Sequence, residues 1–452
     1  MATSLHARLA FLADGWRSNV RIEATGGQIA SVEVEAAPRA GDERHEVLIP
    51  GMPNLHSHAF QRGMAGLAEV IGPSADSFWT WRELMYRFAL AMDPDQVEAI
   101  ATQLYVEMLE AGFTRVGEFH YLHHDRDGAP YANIAEMATR IAAASERTGL
   151  NLTLLPVYYA HANFGGVEPL PEQRRFISEL EGYARTVEAS REAIAGLEGA
   201  VLGMAPHSLR AVTPDELMAV TAIVPDGPIH IHVAEQEREV ADCLAWSGQR
   251  PVQWLLDHLP VDGRWCLIHA THLTTEETAR LAASGATAGL CPVTEANLGD
   301  GIFPAREFVA HGGRYGIGSD SNIRIGVTDE LRQLEYAQRL SLRARNVLAT
   351  GTSSTGCSLY DAAWRGGQAA LGGDSSGVAA GAPFDMVSLA TDLWEGEGEG
   401  DGILNGWIFA TGVSVDCVWA GGRKVVEGGR HVLRDEVADR FRTTMRDLLA
   451  AR

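Results

Sequence analysis

The residues of this chain that could do chemistry are grouped in a way that suits a metal ion. Leu55-His56-Ser57-His58 sets two imidazoles two residues apart, and alternation along an extended segment turns both to one side. Further along stand His230-Ile231-His232-Val233-Ala234-Glu235, then Trp265-Cys266-Leu267-Ile268-His269, then Ser319-Asp320-Ser321. Singly these are ordinary: an isolated H-x-H is more often a hydrogen-bonded pair than a ligand set, and His269 or Asp320 alone reads as a polar residue at a core edge. Together, imidazole nitrogens and a carboxylate are the donors zinc favours when one position stays open for water. An ion held that way lowers the pKa of water toward neutrality, so hydrolysis is the chemistry to expect.

Residues so far apart in the chain need a scaffold that gathers strand ends. Eight short apolar runs alternate with helix-compatible stretches: Val47 to Pro50, Thr114 to Glu118, Leu152 to Val157, Val201 to Ala205, Ile229 to Val233, Trp265 to His269, Ala286 to Leu290 and Tyr315 to Gly318. Eight βα units close a (β/α)8 TIM-like barrel, whose chemistry lies where strands end. The candidates follow runs one, five, six and eight. Outside the runs, residues 1 to about 48 read as small antiparallel strands, as do Phe384 to Leu389, Trp407 to Phe409 and Val415 to Trp419. The expected division is a discontinuous, sandwich-like β domain from 1–48 and 381–435, a barrel over 49–380, and a C-terminal amphipathic helix over 436–452. In that helix Val437, Phe441, Met445, Leu448 and Leu449 fall near helical spacing. The acidic, glycine-rich stretch Trp394 to Gly402 reads as a solvated loop.

Composition narrows the function. With 452 residues, 46% hydrophobic and 21% charged, the chain can bury a sizeable core. A formal charge of -22 argues against nucleic acid or an anionic membrane surface as partner. The 37 basic residues comprise one lysine, Lys424, and 36 arginines, which excludes Schiff-base and P-loop chemistry from the main body. Five scattered cysteines with no C-x-x-C pair suit a reducing compartment. The opening residues lack a basic segment followed by a sustained apolar one, so a cytoplasmic protein is expected.

The segments Pro50-Gly51-Met52-Pro53-Asn54-Leu55-His56-Ser57-His58, His232-Val233-Ala234-Glu235, His269-Ala270-Thr271-His272-Leu273 and Gly318-Ser319-Asp320-Ser321 give this chain a pattern that resembles the deaminase branch of the amidohydrolase superfamily. The resemblance spans essentially the whole chain, including the return through Gly381-Ala382-Pro383-Phe384-Asp385. It implies that His56, His58, His232 and Asp320 hold one zinc, replaceable by another divalent ion such as iron, and that Glu235, His269 and Asp320 are catalytic. On that reading Asp320 and Glu235 handle the water's proton, Glu235 passes it to a leaving nitrogen, and His269 steadies the attacking oxygen. Two-metal members of the superfamily bridge their ions with a carboxylated lysine near the end of the fourth strand. Here that run leads into Pro206-His207-Ser208, so a single metal is implied.

The loops resemble the formiminoglutamate deiminase family in particular, through Phe78 to Phe88, Glu118 to Asp125 and Ala205 to Arg210. By that resemblance Gln61, Arg82, Tyr121, His207 and Arg210 bind the substrate, the products are N-formyl-L-glutamate and ammonia in histidine breakdown, and the enzyme is a homodimer. Two carboxylates on a substrate call for planar, permanently charged donors such as Arg82 and Arg210, although Arg82 also fits an exposed helix face. Trp79 and Trp81 read as lid or core packing. His120, His123, His124, His230 and His272 read as hydrogen-bonded structural residues, since zinc takes only four donors. A deaminase of purines, pterins or other cyclic amidines shares every metal residue and differs in the loops. A non-catalytic barrel that binds a ligand predicts a damaged donor set, which this sequence does not have.

Overall fold

A computed structural model describes residues 3–70, 78–391 and 400–450. Its strands fall into two systems. The first draws on both chain ends: β1 (Thr3–Leu12), β2 (Gly15–Thr25), β3 (Gln28–Glu33) and β4 (Glu43–Pro50). The barrel system follows, with β5 (Met52–Ser57), β6 (Phe113–His120), β7 (Asn151–Tyr158), β8 (Val201–Leu202), β9 (Ala205–Pro206), β10 (Ile229–Val233), β11 (Trp265–His269), β12 (Thr287–Leu290) and β13 (Arg314–Ile317). The chain then returns to the first system through β14 (Met386–Ala390), β15 (Ser414–Ala420), β16 (Arg423–Glu427) and β17 (Arg430–His431).

The terminal strands form one sheet in the order β17-β16-β15-β14-β4-β1-β2-β3, antiparallel throughout except for the parallel pair β1 and β4. It has its own core, with Leu5, Ile22, Leu48, Phe384 and Trp419 buried together. The barrel strands pair in parallel as β5-β6-β7-β8 and β10-β11-β12-β13, with β9 also on β7. Parallel bridges Met204 to Ile229, Ser208 to His232 and Ser57 to Asp320 join the two sets at both seams. Leu55, Cys266, Ile268 and Cys291 pack inside the cylinder against Ala370 and Leu371. The fold is a (β/α)8 barrel with a β-rich domain built from the chain ends, and all five cysteines are buried free thiols.

Three sequence expectations change. Val47 to Pro50 is not the first barrel strand. It ends β4 in the terminal sheet, between β1 and β14, and the barrel begins one residue later at Met52. The end of β4, Val47 to Pro50, and all of β5 are buried and only Gly51 separates them, so hydrophobicity shows no boundary. Trp407 to Phe409 is not a strand but the end of helix Asp401–Phe409, which buries Ile403, Leu404, Trp407 and Ile408 at helical spacing. Asp401 and Gly402 are not a solvated loop either: the Asp401 carboxylate accepts from Trp16 Nε1 at 3.2 Å and from the Ser354 N–H at 2.7 Å, anchoring the helix start. The rest of that stretch, Trp394 to Glu399, lies outside the described residues. The C-terminal helix runs Arg434–Ala450, burying Val437 and Leu448.

Helix Thr355–Ala370 closes against the barrel through glycines. A Cβ at Gly366 would lie 1.8 Å from the Tyr315 carbonyl oxygen on β13, so backbone must shift to admit one. Gly366→Ala is therefore expected to cost about 1–3 kcal/mol or more by overpacking, read as a lowered midpoint in urea unfolding.

Candidate metal centre and substrate cavity

The seam between β5 and the turn after β13 is where the candidate ligands meet. His58 N–H donates to the Asp320 carbonyl at 3.0 Å, and Asp320 N–H donates to the His56 carbonyl at 2.9 Å. Beside it, Asn54 Nδ2 donates to Ser319 Oγ at 2.7 Å, and Asn322 Nδ2 donates to the His58 carbonyl at 3.0 Å. The backbone thus fixes the spacing of three candidates before their side chains are considered. On the other side of the barrel, His232 N–H donates to the His207 carbonyl at 3.0 Å. Asp320 at φ 46°, Ala234 at 51° and His269 at 67° are left-handed, a strain that recurs at functional sites.

His56, His58, His232 and Asp320 are all buried, and each offers a ligand atom within 4.8 Å of the others. Asp320 Oδ1 lies 3.3 Å from both His56 Nε2 and His58 Nε2, and His232 Nε2 lies 3.1 Å from His56 Nε2. His58 Nδ1 faces the Phe119 carbonyl at 3.0 Å and His232 Nδ1 the His207 carbonyl at 3.1 Å. A ring that donates Nδ1–H to a carbonyl keeps a lone pair on Nε2 when neutral. Lone pairs and a carboxylate facing one another at such distances repel unless a cation lies among them. The residues present therefore fit a divalent ion, and three imidazoles with one carboxylate is a zinc-type set. Burial resists charge on Asp320, but the neighbouring imidazoles of His56, His58 and His269 outweigh it and hold its carboxyl well below the usual range.

Glu235 and His269 stand beside this cluster. His269 Nε2 is 3.7 Å from Glu235 Oε1 and 3.9 Å from Asp320 Oδ2. Burial raises the Glu235 carboxyl above its ordinary value, with His269 and Arg210 pulling the other way. For His269 burial opposes the charge, yet Glu235, Glu295 and Asp320 outweigh it and push the imidazole up to about 10. Two carboxylates that the sequence did not single out support the pair. Glu239 accepts from the Ala234 and Glu235 backbone N–H groups at 3.2 and 3.1 Å, and Glu295 Oε1 lies 3.4 Å from His269 Nδ1.

A cavity opens over these groups. His58, His232, Glu235, His269 and Asp320 form part of its lining, and Gln61, Arg82, Tyr121, His207 and Arg210 line it as well. His56 lies behind the lining, fully buried. Gln61 Nε2 donates to Tyr121 Oη at 2.8 Å. Arg82 turns inward rather than to solvent: its Nη2 donates to Tyr159 Oη at 3.2 Å, and its guanidinium lies 5.1 Å from the Tyr86 ring centroid. Arg210 is buried with Nη2 3.9 Å from Glu235, and its Nε has no partner among the described residues. Burial, with Arg210 and Arg82 nearby, keeps His207 neutral. Trp81 also lines the cavity, as do Tyr86 and Tyr159, which sequence reasoning missed. Of the histidines set aside, His123, His124, His230 and His272 each pair a ring nitrogen with a backbone carbonyl at 2.7–2.9 Å. His120 Nε2 is buried with no hydrogen-bond partner among the described residues.

Comparison with known proteins agrees with this architecture. The Amidohydrolase family profile matches residues 47–425, and the profile "Formimidoylglutamate deiminase HutF, N-terminal domain" matches residues 2–46. A formimidoylglutamate deiminase of Pseudomonas aeruginosa is 50% identical over 452 residues, covering 99% of this chain and 100% of its own length. An 8-oxoguanine deaminase from the same species is 27% identical over 399 residues, 86% of this chain and 84% of its own. Among solved structures, an amidohydrolase from Brucella melitensis superposes with a TM-score of 0.96 at 61% identity, covering 99% of this chain and 100% of that one. An adenosine deaminase from Xanthomonas campestris with bound zinc superposes at 0.80, with 20% identity over 99% and 98% of the two chains, and so shares the fold. With the profile spanning its whole barrel and a half-identical relative along its full length, this chain belongs to the amidohydrolase family.

Proposed function

We propose that this chain hydrolyses the formimino group of N-formimino-L-glutamate to N-formyl-L-glutamate and ammonia, a step of histidine degradation, at one zinc ion held by His56, His58, His232 and Asp320. The observation that carries the reading is that one cavity, lined by Arg82 and Arg210, opens onto the four-donor cluster through His58, His232 and Asp320. Paired guanidinium groups suit a dicarboxylate and have no counterpart in an uncharged purine or pterin. Half identity to a formimidoylglutamate deiminase over the full chain supports the same substrate.

Bound in that cluster, zinc would supply Lewis-acid activation of the attacking water. The chain's own residues do the rest. Asp320 and Glu235 receive the water's proton, and Glu235, whose burial favours the protonated form, delivers it to the departing nitrogen. His269, protonated and donating from Nε2, steadies the oxygen that adds to the amidine carbon. Arg82, Arg210, Gln61, Tyr121 and His207 hold the glutamate part. Glu239 and Glu295 keep Glu235 and His269 in place.

Ammonia release scored across formiminoglutamate, guanine and adenosine tests the reading. Turnover of formiminoglutamate with zinc near one per chain is expected; turnover of a base in its place overturns it. Arg82→Leu is expected to raise KM about tenfold or more with kcat less affected, because it removes a charged hydrogen bond that ground and transition states share. A homodimer in a reducing compartment, in keeping with five free thiols, completes the proposal, and light scattering should give the mass of two chains.

A further inference from the structure

Two phenols on the cavity wall and a buried amide behind them form a hydrogen-bonded set that the reading above does not use. Gln173 is fully buried on the short 3-10 turn Pro171–Gln173. Its Oε1 accepts the Leu170 backbone N–H at 2.7 Å, which fixes the orientation of the amide. Its Nε2 therefore faces two phenols, donating to Tyr159 Oη at 2.7 Å and to Tyr86 Oη at 3.2 Å. Arg82 Nη2 donates to the same Tyr159 oxygen at 3.2 Å.

Counting donors and acceptors gives the consequence. A hydroxyl offers one hydrogen and accepts at its oxygen. Tyr159 Oη already accepts from two N–H donors, and its own hydrogen has no acceptor among the described residues. Tyr86 Oη likewise accepts from Gln173. Both phenols line the cavity beside Arg82. Just after that turn, buried Arg175 holds the C-terminal end of the helix that carries Arg82 and Tyr86, Phe78–Ala91, by donating to the carbonyls of Ala89 and, at 2.8 Å, Met92.

We propose that the Tyr159 and Tyr86 hydroxyls join Arg82 in one carboxylate subsite, and that Gln173 is the positioning residue that makes both hydroxyls donors toward the cavity. The proposal rests on the dicarboxylate reading of this site and deepens it. Three convergent donors around one oxyanion give a recognition that a single arginine does not. Gln173 touches no substrate and acts through the two tyrosines.

Steady-state kinetics on formiminoglutamate and calorimetry with glutarate, a bare dicarboxylate, test it together. Tyr159→Phe, which keeps the ring, is expected to raise KM and the glutarate Kd about tenfold, with kcat within about twofold. Gln173→Leu should shift both in the same direction. In a Tyr86→Phe/Tyr159→Phe background, where the hydroxyls are gone, Gln173→Leu should add no more than about twofold. A purely structural role for Gln173 would instead persist in that background, with its full factor on kcat and a lowered melting temperature. That persistence overturns the proposal, as does a wild-type protein that binds no glutarate or an unchanged Kd in Tyr159→Phe. If formiminoglutamate is not turned over but Tyr159→Phe weakens glutarate binding tenfold, the proposed function falls and the subsite stands.

Discussion

Glu235→Gln is expected to keep its metal and its fold and to lose about 10³-fold in kcat, with KM little changed. The amide is nearly the carboxyl's shape but cannot accept the water's proton or return it to the leaving nitrogen, and general acid–base catalysis is worth about 10²–10⁴-fold. The pH profile gives a second readout. Glu235 must be ionised to take a proton, so activity falls as pH drops through its pKa. Burial raises that pKa above the ordinary 4.5, so the acid limb should begin at higher pH than for an exposed glutamate. The variant should lose that limb along with the rate. Unchanged kcat in Glu235→Gln would remove Glu235 from the mechanism.

His232→Ala should act on the other half of the machinery. It removes one of four buried donors, and His232 Nε2 faces His56 Nε2 at 3.1 Å, at the heart of the cluster. Losing residues that merely orient ligands costs about 10–100-fold in metal affinity, so loss of a ligand should cost more than about 10²-fold. Dialysed protein should then carry little zinc and show activity near background. Equal zinc content in variant and wild type, by elemental analysis, would place the ion elsewhere.

Of the candidate metal residues, His56 and His58 stood out by their spacing alone, since the run ahead of them belongs to the other sheet. His232 and Asp320 were legible because each lies at or just after the end of an apolar run, and a barrel gathers strand ends whatever lies between them. The same criterion extends to Tyr159, which follows directly on β7, and helical spacing links Tyr86 to Arg82 four residues earlier. Neither stood out, because a lone tyrosine after an apolar run reads as core. Glu295 and Gln173 carry no such signal: their partners, His269 and the two phenols, come from other elements and meet them only in the folded chain. The fold was readable for a related reason. The run Trp265 to His269 coincides with β11, since a strand buried on both faces is apolar along almost its whole length. Continuous hydrophobicity is also what concealed the break at Gly51, where the chain leaves one sheet and enters another.

Anomalous diffraction at the zinc edge, from zinc-loaded crystals, tests the metal centre most directly. One peak is expected about 2.0–2.2 Å from Nε2 of His56, His58 and His232 and from the Asp320 carboxylate, inside the cavity that Arg82 and Arg210 line. A strong peak elsewhere, such as between Glu43, His45 and Cys417 in the terminal sheet, with none at the barrel mouth, would contradict the account.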